Sequence, residues 1–137
     1  MLEQEKLQGR LSRLKNASEG LFYPSDVDEP FTVFNWKVRD EPPLEKERVR
    51  EILQLSAHDP IQVKKLDDLF GRLTTPQEWH TDEDLDTVEQ FQELTHILRK
   101  NLKKIQVFYV GTTEKVIYLV GKTPEKYWAG LKTRIVD

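Results

Sequence analysis

Three histidines, 24 acids and no cysteine are the side chains from which this 137-residue chain could build chemistry. His58, His80 and His96 show no metal-ligand spacing of the H-E-x-x-H kind. His58 precedes Asp59-Pro60 in a turn, where it caps or faces solvent, and His96 falls opposite the apolar stripe of a long helix, on the surface. His80, beside Asp82, Glu83 and Asp84, could gather a cation, but the D-x-D-x-D-G spacing of a calcium loop and its glycine are missing. A glycosidase-like carboxylate pair could be drawn from any of the 24 acids, so none is singled out. There is no G-x-S-x-G elbow, Walker loop or G-x-G-x-x-G, and the six glycines are scattered as turn and cap residues. The lack of cysteine excludes a disulfide scaffold, a thiolate zinc site, an iron–sulfur cluster and a cysteine nucleophile, and fits a reducing cytoplasm. The expectation is a protein with no catalysis, no cofactor and no metal of its own.

Binding is better served. In Thr74-Thr75-Pro76-Gln77-Glu78-Trp79-His80 a tryptophan stands in a polar loop with no periodic core position to fill. It is either a loop anchor folded back onto the core or an aromatic contact offered to a partner, since Trp brings a large apolar area on only two torsions. Net charge is −3, unevenly spread. Glu78, Asp82, Glu83, Asp84, Asp86, Glu89 and Glu93 crowd one stretch without a base, whereas Arg99, Lys100, Lys103, Lys104, Lys115, Lys122, Lys126, Lys132 and Arg134 dominate the C-terminal part. Helix termini and solvated faces account for part of that asymmetry, and an electrostatically steered partner surface would look the same. Direct nucleic-acid binding is not expected. Tyr109, Tyr118, Tyr127 and Trp128 lie in or beside strands where packing explains them, and the pI is near 5.7. No run approaches the ~18 apolar residues of a membrane span, and the charged N-terminus reads as untargeted.

These residues need elements to hold them, and 137 residues suit one domain, 1–137. Leu7, Leu11, Leu14 and Ser18 recur at helical spacing and predict a first helix from Glu3 to Glu19, stopped by Gly20. The proline- and acid-rich Tyr23–Pro30 is a surface loop, and Phe31–Val38 has the composition of a buried strand. Pro43 opens a second helix carrying Leu44, Val49, Ile52 and Leu53 to Leu55. Ile61–Leu66 alternates as a short edge strand, then Asp67 or Asp68 caps a single-turn helix burying Leu69, Phe70 and Leu73. Val88, Phe91, Leu94, Leu98 and Leu102 form the stripe of a long helix from Asp82 to Lys104, with acids at its start and bases at its end. Three strands follow, Ile105–Val110, Lys115–Val120 and Trp128–Val136; the first two make a hairpin and the middle one is central. The prediction is an α+β chain in the order α-β-α-β-α-α-β-β-β, a three-layer α/β/α sandwich on a mainly antiparallel, mixed sheet.

Taken together, Ala17-Ser18-Glu19-Gly20-Leu21, Pro30-Phe31-Thr32-Val33-Phe34, Phe70 with Thr74-Thr75-Pro76-Gln77-Glu78-Trp79, Phe91-Gln92 with Asn101-Leu102-Lys103, Gln106-Val107 with Tyr109, and Gly121-Lys122-Thr123-Pro124 with Ala129-Gly130-Leu131 carry a resemblance. From about Leu7 to Asp137 the chain resembles the bacterial nuclease A inhibitor family, small proteins that block a sugar-non-specific, metal-dependent DNA/RNA endonuclease. The resemblance implies a pathogenesis-related-1-like sandwich and occlusion of the nuclease cleft, with an inhibitor that is monomeric when free and binds a magnesium-dependent nuclease 1:1. The family's acidic residue before the first strand, which meets a nuclease arginine, falls on Asp26, one methylene shorter than the family's Glu. The Gln-acid-Trp loop falls on Gln77, Glu78 and Trp79. The family's C-terminal contact falls on Val136 and Asp137. There the family ends in a threonine that approaches the nuclease metal, whereas this chain ends at Asp137, whose carboxylates take that place or leave the metal contact unmade. The other reading is a non-catalytic interaction module of the same fold with a different partner.

Overall fold

The computed structural model describes residues 2–39 and 43–136. Helix α1 (Leu2–Ser18) buries Leu7, Leu14 and Ser18 and ends where Gly20 turns left-handed at φ +80°, a backbone state that costs glycine nothing. Strand β1 (Thr32–Arg39) follows the acidic loop. Helix α2 spans Lys46–Ile52, β2 Ile61–Lys64, α3 Leu66–Phe70 and α4 Asp82–Asn101, with a 3-10 turn at Arg72–Thr74. Strands β3 (Lys103–Gly111), β4 (Glu114–Lys122) and β5 (Tyr127–Val136) close the chain.

The strands form one sheet in the order β1-β5-β4-β3-β2, with β4 central as its two apolar faces require. Among the described residues every pairing is antiparallel, which corrects the expected mixed sheet. The reason is the routing: tight connections join β3, β4 and β5, and the two earlier strands reach the edges from outside, each running against its neighbour. Alternate residues feed two separate clusters. Val107, Tyr109, Ile117, Leu119, Leu131 and Ile135 meet Leu14, Phe70, Phe91, Leu94 and Leu98 from α1, α3 and α4. Phe108, Val120 and Trp128 meet Leu44, Val49 and the partly buried Ile52 around α2. Burying each such side chain contributes roughly 1.5–3 kcal/mol.

Two boundaries move. Pro43 does not open α2, because Leu44 is first drawn into the core at 1% exposure and Glu45 remains extended (φ −109°, ψ 162°), so helical geometry begins only at Lys46. Gln54, left-handed at φ 55°, then ends that segment before Leu55. At the other helix, Leu102 keeps its place in the core while already extended (φ −128°, ψ 141°), so α4 stops at Asn101 rather than at Lys104. The predicted helix end is thus the first step of β3. Similarly β2 ends at Lys64, because Leu66 starts α3, and there Asp68 accepts the Lys65 backbone N–H at 2.9 Å.

Candidate partner interface

Asp26 is carried by a loop that is closed at its base and fastened along its length. Phe22 and Pro30 make an isolated antiparallel bridge across its mouth. The Asp26 backbone N–H donates to the Val136 carbonyl at 2.9 Å, and the Val136 N–H donates to the Ser25 hydroxyl oxygen at 3.3 Å. Further back, the Thr133 hydroxyl donates to the Glu29 carbonyl at 3.0 Å. Arg134 spans Glu114 at 2.8 Å and Glu29 at 3.4 Å, and the Glu114 carboxylate first, then Glu29, raises the guanidinium above its ordinary value. The structure therefore brings Asp26 and Val136 together, with the Asp26 side chain exposed. Asp137 lies outside the described residues.

Gln77, Glu78 and Trp79 belong to a second loop, whose two ends are also pinned. At its start the Thr74 hydroxyl donates to the Phe70 carbonyl at 3.0 Å, Thr75 to Gly71 at 2.8 Å, and the Gln92 amide of α4 to the Thr74 carbonyl at 2.9 Å. At its end Thr81 caps α4 and Asp84 answers in a capping box: the Thr81 N–H donates to the Asp84 carboxylate at 2.9 Å, and the Asp84 N–H to the Thr81 hydroxyl at 3.1 Å. The Thr81 backbone N–H first, then the Thr81 hydroxyl, hold the Asp84 carboxyl below its ordinary value, with a smaller electrostatic contribution from His80. Between the pinned ends lies a turn in which the His80 N–H donates to the Gln77 carbonyl at 3.1 Å, so Glu78 and Trp79 occupy its corners. Trp79 is 76% exposed, which rules out the anchor role that its sequence position left open.

A groove of about 520 Å³ lies beside the Asp26 loop. Tyr23 and Pro24 line it from the Asp26 loop, Ile135 from the strand end beside Val136, and Arg72 and Leu73 from the segment leading to Gln77. None of the described candidate residues lines it: the structure joins Asp26 to Val136 and places Gln77, Glu78 and Trp79 on a separate loop. Sequence reasoning did not anticipate Ser25, Glu29 or Arg134 as fasteners of the Asp26 loop, because their partners are more than 100 residues away or on another strand. His80 was also missed as the residue that closes the turn.

Among the described residues no three His, Asp or Glu side chains are grouped to hold a metal ion. No helix among them is long and apolar enough to cross a membrane. No curated protein is similar to the chain at a significant level. The family model of the nuclease A inhibitor-like proteins, however, matches residues 8–137, a span that takes in both loops, the groove and the C-terminal strand, and the chain belongs to that family.

Proposed function

We propose that this protein inhibits a sugar-non-specific, magnesium-dependent DNA/RNA endonuclease by binding 1:1 over its active-site cleft, without chemistry of its own. Asp26, Gln77, Glu78, Trp79, Val136 and Asp137 form the contact surface. The observation that carries this reading is Trp79 at 76% exposure on the corner of a turn whose two ends are bonded to the fold. A large aromatic held open to water on a pre-ordered loop loses little freedom when it binds and removes a large apolar area from water. Asp26 and Glu78 carry exposed carboxylates of the kind that the cations and metal of a phosphodiester-binding cleft attract, and such charges speed encounter. At Asp137, next in sequence after the tethered Val136, a carboxylate takes the place of the family's threonine toward the nuclease metal, or that contact is unmade.

The layering supports the pathogenesis-related-1-like assignment for the whole of 1–137, since helices cover both faces of the sheet through two distinct apolar clusters. We place the encounter in a bacterial cytoplasm, with the free inhibitor monomeric and without affinity for nucleic acid. The test is a titration of the protein into such a nuclease while cleavage is followed, with labelled oligonucleotide alone as the control. Stoichiometric loss of cleavage with no retardation of the oligonucleotide is the expected result. Retardation without nuclease would mean substrate masking instead, and neither effect would mean a fold kept for another partner.

A further inference from the structure

His80 closes the turn that presents Trp79. Its Nδ1 accepts the Gln77 backbone N–H at 3.0 Å, and its own backbone N–H donates to the Gln77 carbonyl at 3.1 Å. Both backbone polar groups of Gln77 therefore end on one residue. The imidazole also stands edge-on to the Trp79 ring, with centroids 4.4 Å apart and planes at 75°. A ring nitrogen accepts a hydrogen bond only when it carries no proton, so this arrangement belongs to neutral histidine protonated on Nε2. Adding a proton at Nδ1 sets two N–H groups against each other and removes the bond.

Resting on the inhibitor reading, we propose that His80 is a positioning residue of the interface: neutral, it holds Gln77, Glu78 and Trp79 in binding geometry, and protonated, it releases the turn and weakens the hold on nuclease. The charged groups facing it come from two elements. Asp84 of α4 is near enough for the two charges to interact, and Arg72 of the 3-10 turn lines the same small cavity of about 150 Å³. Glu78, Asp82 and Glu83 flank it along the chain.

His80→Asn separates this role from a merely structural one. The Asn Oδ1 hangs on Cγ as the His Nδ1 does, so it accepts the same N–H but does not titrate. The Gln77 amide should be followed by NMR in the free protein from about pH 8 to about pH 5, the range over which histidine changes charge, alongside nuclease inhibition by both forms. The wild-type amide signal should move with the His80 ring and stay fixed in H80N. Over the same range wild type should lose roughly three- to tenfold more affinity than H80N, the worth of one hydrogen bond. Taking the ratio of the two proteins cancels the nuclease's own pH dependence. A Gln77 amide indifferent to the His80 titration, or superimposable pH profiles, would overturn the proposal. If neither form inhibits at any pH, the inhibitor reading falls, while the amide titration in the free chain still decides what His80 does to the turn.

Discussion

Trp79 and its neighbours show how much a single side chain's surroundings decide. A tryptophan in a polar loop was legible in the sequence as something other than periodic core, but the choice between anchor and contact depended on the bonds that pin Thr74, Thr75 and Thr81. Those bonds fix the loop ends and leave the ring outside. Since Trp79 is 76% exposed and its ring meets that of the adjacent His80 rather than the core, Trp79→Ala should change unfolding free energy by no more than about 0.5 kcal/mol, which urea denaturation would measure. In the complex the same change should cost about 2–4 kcal/mol, a 30- to 1,000-fold weaker inhibition constant. A large stability loss with inhibition intact would return Trp79 to the anchor role. The His80 contact to Gln77 was not legible, because a ring nitrogen bonded within a four-residue turn leaves no pattern in the sequence.

At the scale of elements, long periodic segments were readable and their ends were not. The α4 stripe from Val88 to Leu98 is fully buried, as spacing alone demanded, whereas Leu102 stays in the core after leaving the helix and so mimics one more turn. The same helix end carries a polar contact hidden from periodicity. Arg10 of α1 grips Glu125 of the β4–β5 connection through two 2.9 Å bonds and reaches Asn101 with a third at 2.9 Å. Glu125 is 7% exposed, and the Arg10 bonds outweigh burial, so its carboxyl is held below the ordinary glutamate range. A depressed carboxyl contributes stability that is complete above the unfolded value, about 4.3, and is lost as pH falls through the folded one. Glu125→Gln should therefore destabilise the protein by about 3 kcal/mol near pH 7, and the gap to wild type should close below about pH 4. Urea midpoints across that range check it, and a gap that widens on acidification would contradict the assignment. Nuclease inhibition at neutral pH should survive, since this ion pair joins elements at the end of β5 opposite to Val136.

For the whole molecule, charge is arranged rather than accumulated. The net value of −3 conceals acids gathered in the Asp26 loop and at the start of α4, beside the two candidate contact loops, and bases along the later strands. Part of that arrangement serves the helix ends, as the Thr81–Asp84 capping box shows. On the proposed inhibitor role the rest meets the nuclease, so Asp26→Lys should act mainly on association, slowing it about tenfold at low ionic strength and less in salt, as stopped-flow binding would show. Composition and order made the α+β class readable in advance. The joining of the Asp26 loop to Val136 was not, because it depends on pairing Ser25 with Val136 across the length of the chain. The most direct measurement is a titration of the wild-type protein and an Asp26→Lys, Trp79→Ala double variant into a sugar-non-specific magnesium-dependent nuclease, following nucleic-acid cleavage. Stoichiometric inhibition by wild type that the equally folded double variant loses is expected; no inhibition by wild type at micromolar concentration, or equal inhibition by both, would contradict the inhibitor role.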